Sequence, residues 1–518
     1  MKISTTWLPL ATVVTAAAAA ADKEKMNAVE EVFRRTWNGY REHAWGHDSL
    51  RPVSNGFTDD RNGWGATAVD ALGTAIIMGL DDIVEDILDY IPTIDYGKTD
   101  TEVSLFETTI RYLGGMLSAY DLLQGPYKHM APNQEAVDAL LQQSIALADY
   151  LKVGFDTPSG VPDNHLLFDP TPRRKGSWEN GLAVTGTLIL EWLRLSDLTG
   201  DKHYGELAYK AESYLLDPQP PEYEPWPGLV GSGVYIDNGT FIDARGGWGG
   251  SFDSFYEYLI KMYVYDPARF ELYKERWLLA ADSSIKHLAS HPTTNPDLTF
   301  LSMYNGQEKH FYFGHLACFS GGNFILGGLV LKEQRLVDFG LDLTAGCRQT
   351  YAQTATGIGP ELFQWQDNNT AADAINNEGP PDDQAEFYEE AGFWITNPRY
   401  MLRPEVIESY YYAYRATGDP MYREWAWDAF VRINATCSVG SGISAIEDVN
   451  PENGEIKYTD FQESFFFAEV LKYVYLILSG DSDVQVKQDG KNLFVLNTEA
   501  HPIRVYEGTP ALKKNTER

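Results

Sequence analysis

Glu191-Trp192-Leu193-Arg194-Leu195-Ser196-Asp197-Leu198-Thr199-Gly200-Asp201 and Tyr411-Tyr412-Ala413-Tyr414-Arg415-Ala416-Thr417-Gly418-Asp419 read as the same device. In each, Thr-Gly-Asp closes one apolar helix on a glycine and caps the next with an aspartate. The helices that follow contain Tyr204 and Ala211 in the first case, Tyr422 and Ala429 in the second. A helical hairpin that recurs along a long chain must bury its apolar faces against further copies of itself. Apolar residues at spacings of three and four continue the pattern outward over 25–45, 66–92, 104–123, 134–154, 181–199, 202–216, 253–264, 267–291, 315–331, 334–352, 402–417, 420–436 and 462–479. The expected fold is all-α, a closed α/α barrel of hairpins; an irregular α-solenoid is the alternative. Near the C-terminus, residues 484–487 and 492–496 flank Asp489-Gly490, which signals a β-hairpin.

The chain has 518 residues, 44% of them hydrophobic and 13% aromatic, ample for a large core. Length alone would allow several domains, but no linker composition divides it. Its formal net charge is −33, from 74 acidic against 41 basic residues. Such a surface repels phosphate backbones and anionic lipid headgroups, so nucleic acid and membrane surfaces are not expected partners, whereas a neutral sugar is admissible. Residues 1–21 read as a secretory leader: Lys2, then an apolar stretch from Trp7 to Val14, then alanines suited to cleavage. The stretch is short of the ~20 residues of a membrane span. One domain is expected over 22–507, followed by a disordered tail over 508–518, and the protein is expected to be a monomer that is secreted or lumenal. Three cysteines, Cys318, Cys347 and Cys437, predict one disulfide and one leftover thiol in an oxidising compartment. Glycosylation sequons stand at Asn238, Asn368 and Asn434.

The chemistry sits where helices begin. Glu107, Asp253 and Glu405 each open an aromatic-rich helical segment, and a carboxylate in such a place is costly unless paired or used. Each also has a plain structural reading. Ser104 and Glu107 form a capping box, Asp253 caps a helix with Glu257 completing a second box, and Glu405 and Glu408 complement a helix dipole after Pro404. Gly246-Gly247-Trp248-Gly249-Gly250 offers a close backbone approach and a Trp face. Glu463-Ser464-Phe465-Phe466-Phe467-Ala468-Glu469 reads as core or as an aromatic sugar platform. Zinc-ligand spacings, phosphate loops and nucleophile elbows are absent from the sequence.

These blocks, with Trp37-Asn38-Gly39-Tyr40, Gly63-Trp64-Gly65-Ala66-Thr67-Ala68-Val69-Asp70, Gly181-Leu182-Ala183-Val184-Thr185-Gly186-Thr187, His315-Leu316-Ala317-Cys318-Phe319, Leu402-Arg403-Pro404-Glu405 and Asn497-Thr498-Glu499-Ala500-His501-Pro502, resemble glycoside hydrolase family 47. Those are the class I α-mannosidases, and the secreted fungal α-1,2-mannosidases are the nearest group. The resemblance implies an (α/α)7 barrel with the C-terminal β-hairpin plugging one end. It implies a calcium-dependent (Ca2+) inverting exo-glycosidase that removes terminal α-1,2-linked mannose from high-mannose oligosaccharides or glycoproteins. By motif, Glu107 corresponds to the general acid, acting directly or through a water. Asp253 and Glu405 correspond to the other catalytic carboxylates, with Glu405 the favoured base. Thr498 corresponds to the calcium ligand. Arg111, Glu408, Phe465, Glu469 and Glu499 correspond to positions that hold the terminal mannose or the ion's waters, and Cys318–Cys347 to the family's disulfide. Inversion requires carboxyl groups ~6.5–9.5 Å apart with water between them. The sequence departs from the family pattern at Ser49, Gly73, Val184 and Ser251-Phe252. A non-catalytic lectin-like relative that recognises mannose glycans is the competing reading.

Overall fold

The computed structural model describes residues 10–507, with side chains from residue 22 onward. The expected tail over 508–518 lies outside the described residues. So does the expected leader over 1–21, apart from the backbone of 10–21, which opens the helix Leu10–His43. Among the described residues no helix is long and apolar enough to cross a membrane.

Seven inner helices line the barrel: Ala66–Met78, Gly114–Gln124, Ile189–Thr199, Asp253–Tyr265, Phe319–Leu331, Glu405–Thr417 and Leu471–Leu478. Each packs against an outer helix, in turn Asp81–Tyr90, Gln134–Leu151, Lys202–Leu216, Glu271–Ser283, Gln334–Ala352, Pro420–Cys437 and, for the last, Leu10–His43. The ring therefore closes between the two ends of the chain, with Leu471–Leu478 also beside Ala66–Met78. An (α/α)7 barrel is the result, and the solenoid alternative falls because a solenoid has no such closure.

Burial separates the two layers. Every residue of Ala66–Met78 and of Leu471–Leu478 is buried, as a helix between an outer layer and a filled lumen must be. The outer helix Gln134–Leu151 buries only one face, through Val137, Leu140, Ser144, Leu147 and Leu151. Both Thr-Gly-Asp corners form as read. Gly200 and Gly418 take left-handed φ of 76° and 71°, and the Asp201 and Asp419 side chains accept the amides of His203 and Met421. The window 66–92 is two helices, broken at Gly79, where the chain reverses from the inner to the outer layer.

The C-terminal hairpin forms with different arms. Phe494–Leu496 pairs with Pro502–Arg504, not with 484–487, so the turn is Asn497–His501 rather than Asp489-Gly490. The 484–487 stretch is instead tied to helices, with the Val486 amide donating to the Tyr411 hydroxyl (2.9 Å). Cys318 and Cys347 are bonded, linking an inner helix to its outer partner. A loop of 29 residues closed this way contributes about 3–4 kcal/mol in the chain-entropy account. Cys437 is free and buried, and burial pushes its thiol pKa up. Asn238 and Asn368 are exposed, whereas Asn434 is half-buried with its Oδ1 accepting from Arg35 and Ser438.

Candidate active site

A cavity of about 490 Å³ opens at the barrel mouth, and all nine residues nominated for chemistry or binding line it. Glu107, Asp253 and Glu405 lie on its wall from three different inner segments.

Glu107 follows Ser104, whose hydroxyl accepts the Glu107 amide (3.2 Å). Only half of the capping box exists, because the carboxylate turns to Arg111 Nε (2.9 Å) and Arg61 Nε (3.3 Å) instead. Burial opposes its ionisation, but the two guanidinium groups prevail and hold its pKa below the ordinary value. Arg111 lies on a wide turn, Thr109–Leu113, inside the helical run. From there it also reaches Glu499 (2.6 Å), with its guanidinium 5.6 Å from the centre of the Phe465 ring.

Asp253 is the first residue of its helix, and its Oδ1 accepts the Ser254 amide (2.8 Å). Burial pushes its pKa up, the Ser254 amide partly offsets this, and the charges of Glu257 and Glu405 add to the rise, to about 7. Glu257 does not complete a capping box; it pairs with the buried Lys261. Glu405 opens its helix directly after Pro404. Its carboxylate meets His315 Nδ1 at 2.8 Å and Arg403 at 3.8 Å. A carboxylate only accepts, so His315 Nδ1 carries the proton, while Nε2 lies 2.7 Å from the Tyr351 hydroxyl. Burial raises the Glu405 carboxyl, yet His315 and Arg403 outweigh it and leave its pKa below the ordinary value. Neighbouring carboxyls are thus driven apart in protonation, the condition for one acid and one base in one site.

The floor is acidic. Burial, reinforced by surrounding carboxylates, raises Glu408 to about 8 and pushes Glu469 and Glu499 well up. Thr498 is delivered here by the turn of the C-terminal hairpin. Asn497 fixes that turn: its Nδ2 donates to Ile110 O and Glu191 Oε1, and its Oδ1 accepts the amides of Glu499 and His501. The approach needs Gly114, where a Cβ would sit 2.6 Å from Asn497 Nδ2.

The sequence model of Glycosyl hydrolase family 47 matches residues 32–505. The mannosyl-oligosaccharide α-1,2-mannosidase of Penicillium citrinum is 58% identical over 485 residues, covering 94% of this chain and 93% of its own. The chain belongs to glycosyl hydrolase family 47. The mannosyl-oligosaccharide α-1,2-mannosidase 1B of Aspergillus oryzae is 57% identical with the same coverage. The solved structure of the α-1,2-mannosidase from Trichoderma reesei superposes with a TM-score of 0.90 at 54% identity, covering 93% of this chain and 99% of that one.

Within this family 47 chain, the departures are absorbed locally. Ser251 adopts φ 80° while its carbonyl accepts the Ala183 amide (3.1 Å), and Asp253 still faces the cavity. Ser49 donates to Asp60 (2.8 Å), and Val184 lines the cavity wall. Gly73 lies beside His501 and Lys472, where Asp70 supplies the buried acid and meets His501 Nε2 at 3.1 Å. The Trp248 face offered by the glycine run is turned into the core. It is fully buried against Tyr256, with Nε1 bonded to Ser284, and the glycines before it let Met303 and Tyr304 pack close. Of the 463–469 aromatics, Phe466 and Phe467 are core and only Phe465 reaches the cavity. Sequence reasoning assigned no role to Arg61, His315, Arg403 or Glu463. His315 and Arg403 lie inside recognised blocks, so the blocks were the available signal. Arg61 is placed by Asp48, which accepts the amides of Arg61, Gly63, Trp64, Gly65 and Ala66.

The donor set suits a hard cation. The Thr498 amide donates to the Tyr258 hydroxyl, while its hydroxyl and carbonyl take no protein donor among the described residues. Among those residues no group of three or more His, Cys, Asp or Glu could hold an ion directly. An ion here would keep waters, which calcium tolerates, and the crowded carboxyls would hold them.

Proposed function

We propose that this cavity hydrolyses terminal α-1,2-linked mannose from high-mannose oligosaccharides, with inversion and with calcium. The observation that carries the reading is the convergence of Glu107, Asp253 and Glu405 on one cavity, with the Asp253 pKa pushed up and those of Glu107 and Glu405 held below the ordinary value by their basic partners. Relatives named for that activity at 57–58% identity support the substrate class.

Glu405, kept ionised by His315 and Arg403, takes a proton from the attacking water. The water oxygen bonds to C1 as the C1–O glycosidic bond breaks. A proton reaches the departing oxygen from Asp253, which carries it at mildly acidic pH, rather than from Glu107, the general acid expected from the sequence; Glu107, gripped by Arg111 and Arg61, instead orients the water that relays it. Calcium, when bound to Thr498, supplies a positive charge that binds sugar hydroxyls. Glu408, Glu469 and Glu499 hold waters and hydroxyls around it, Phe465 offers a ring face, and Arg111 fixes Glu107 and Glu499. The leader, the disulfide and the sequons support residence in the secretory lumen or outside the cell.

Incubation with an α-1,2-mannobiose tests the reading. Mannose should be released in the presence of calcium, appear first as the β anomer, and cease with a chelator. Absence of release at every calcium level would favour the lectin-like alternative.

A further inference from the structure

Tyr235-Ile236-Asp237-Asn238-Gly239-Thr240 forms a closed turn outside the cavity. The Tyr235 amide donates to Thr240 O (2.9 Å), and the Gly239 amide returns to Tyr235 O (2.8 Å). Asn238 is exposed at the tip, and its Oδ1 accepts both the amide and the hydroxyl of Thr240 (2.9 and 2.7 Å). Its Nδ2 makes no hydrogen bond among the described residues. The turn is held rigidly. Gly239 has φ 72° and packs so closely on Tyr214 that a Cβ would lie 2.1 Å from the ring, and the Ser159 hydroxyl holds Ile236 O.

Beside this tip lie two aromatic rings, one exposed and one half-buried. Trp178 is 63% exposed, the highest value of any tryptophan or tyrosine among the exposed large hydrophobic residues, and its ring centre is 5.6 Å from that of Tyr235. Both belong to one two-stranded ribbon, since Glu179 pairs with Tyr235 and the Ile236 amide donates to Trp178 O (3.0 Å). An exposed Trp178 ring beside the half-buried Tyr235 ring on one ribbon is a surface on which the CH face of a sugar stacks, as amphipathic ring faces do at wet interfaces. The occupant is set by distance along the chain, because a sugar joined to Asn238 begins three residues from Tyr235.

We propose that Asn238 is an N-glycosylation site whose first sugar residues lie on the Tyr235–Trp178 ring pair and brace the ribbon that feeds Ala183 and Val184 into the cavity wall. The inference rests on the secretory part of the proposed function. In the modification, Asn238 Nδ2 loses one proton and bonds to the anomeric carbon of a lipid-diphosphate-linked oligosaccharide, and the lipid diphosphate leaves. Neither Asn368 nor Asn434 has an exposed tryptophan beside it among the described residues.

The test uses the full chain expressed through a eukaryotic secretory pathway, with peptide mass mapping and hydrogen exchange. The Asn238 peptide should carry a glycan in most molecules. Exchange at the ribbon amides should be about fivefold faster in Asn238→Gln than in the parent. In a Tyr235→Ala background that difference should vanish, while Tyr235→Phe, which keeps the ring, should preserve it. Modification of Asn368 or Asn434 without Asn238 would overturn the site, and a glycan on Asn238 whose effect survives Tyr235→Ala would overturn its seat. A secreted protein bearing no glycan at any sequon would also overturn the site while leaving the secretory reading standing; failure to be secreted at all would sink that reading and this one with it.

Discussion

Glu405 lines the cavity and meets His315 through Oε2 and Arg403 through Oε1, partners that favour its charged form. Glu405→Gln keeps the shape and removes the charge. Turnover of an α-1,2-mannobiose should fall about 10²–10⁴-fold, with affinity for a non-hydrolysable analogue and thermal midpoint little changed. Retained turnover would remove Glu405 from the base role. His315 acts through Glu405. Its hydrogen bond lowers the Glu405 pKa, so in His315→Gln that pKa rises toward the ordinary value of 4.5. In the proposed mechanism Glu405 works ionised, so the acidic limb of the kcat–pH profile should move to higher pH. A merely structural loss would lower the whole profile without moving the limb.

At the scale of elements, the outer layer holds an acid with no part in the cavity. Glu212 on Lys202–Leu216 is fully buried and accepts from the Tyr273 hydroxyl (2.7 Å) of Glu271–Ser283, while its other oxygen has no partner. Burial raises its pKa from 4.5 to about 8, with the Tyr273 bond a smaller opposing effect. Between those values the folded state holds a proton that the unfolded state has lost. This contribution to stability is thus full below pH 4.5 and is lost as pH rises toward 8. Glu212→Gln, which cannot ionise, should flatten the fall in stability over that interval. Denaturant midpoints of both proteins across the range check it, and parallel curves would refute it. The hairpins themselves were legible because Gly200 and Asp201, or Gly418 and Asp419, specify their corners locally. The C-terminal hairpin was misread because Asp489-Gly490 is a good local turn, whereas the observed pairing depends on Asn497 being bonded inside the barrel.

On the scale of the whole molecule, the last inner helix closes the ring against the first outer one, and the following hairpin places Thr498 on the floor. The proposed ion binding there would be coupled to the closed barrel, so calcium should raise the thermal midpoint. At ~100 times its dissociation constant the gain is about 2.7 kcal/mol. Thr498→Val should lose most of that calcium-dependent gain while matching the parent in chelator, as calorimetry would show. An equal calcium response in both would place the ion elsewhere.

The residues by themselves determined an array of helical hairpins, since the period of apolar side chains and the Gly-Asp corners act over a few positions, whereas closure of that array into a barrel came from contacts between the two ends of the chain. They also nominated Glu107, Asp253, Glu405 and Thr498, because recognisable blocks surround each. Only the tertiary structure set the direction in which each carboxyl's pKa is moved. Asp253 and Glu405 are both acids at helix starts, and what separates them is Glu257 beside one and His315 with Arg403 beside the other. Likewise Trp248 and Trp178 both follow glycine-containing loops, yet one is core and the other surface. Electrostatic fields and burial sum over neighbours brought from distant parts of the chain, and no local pattern encodes that sum.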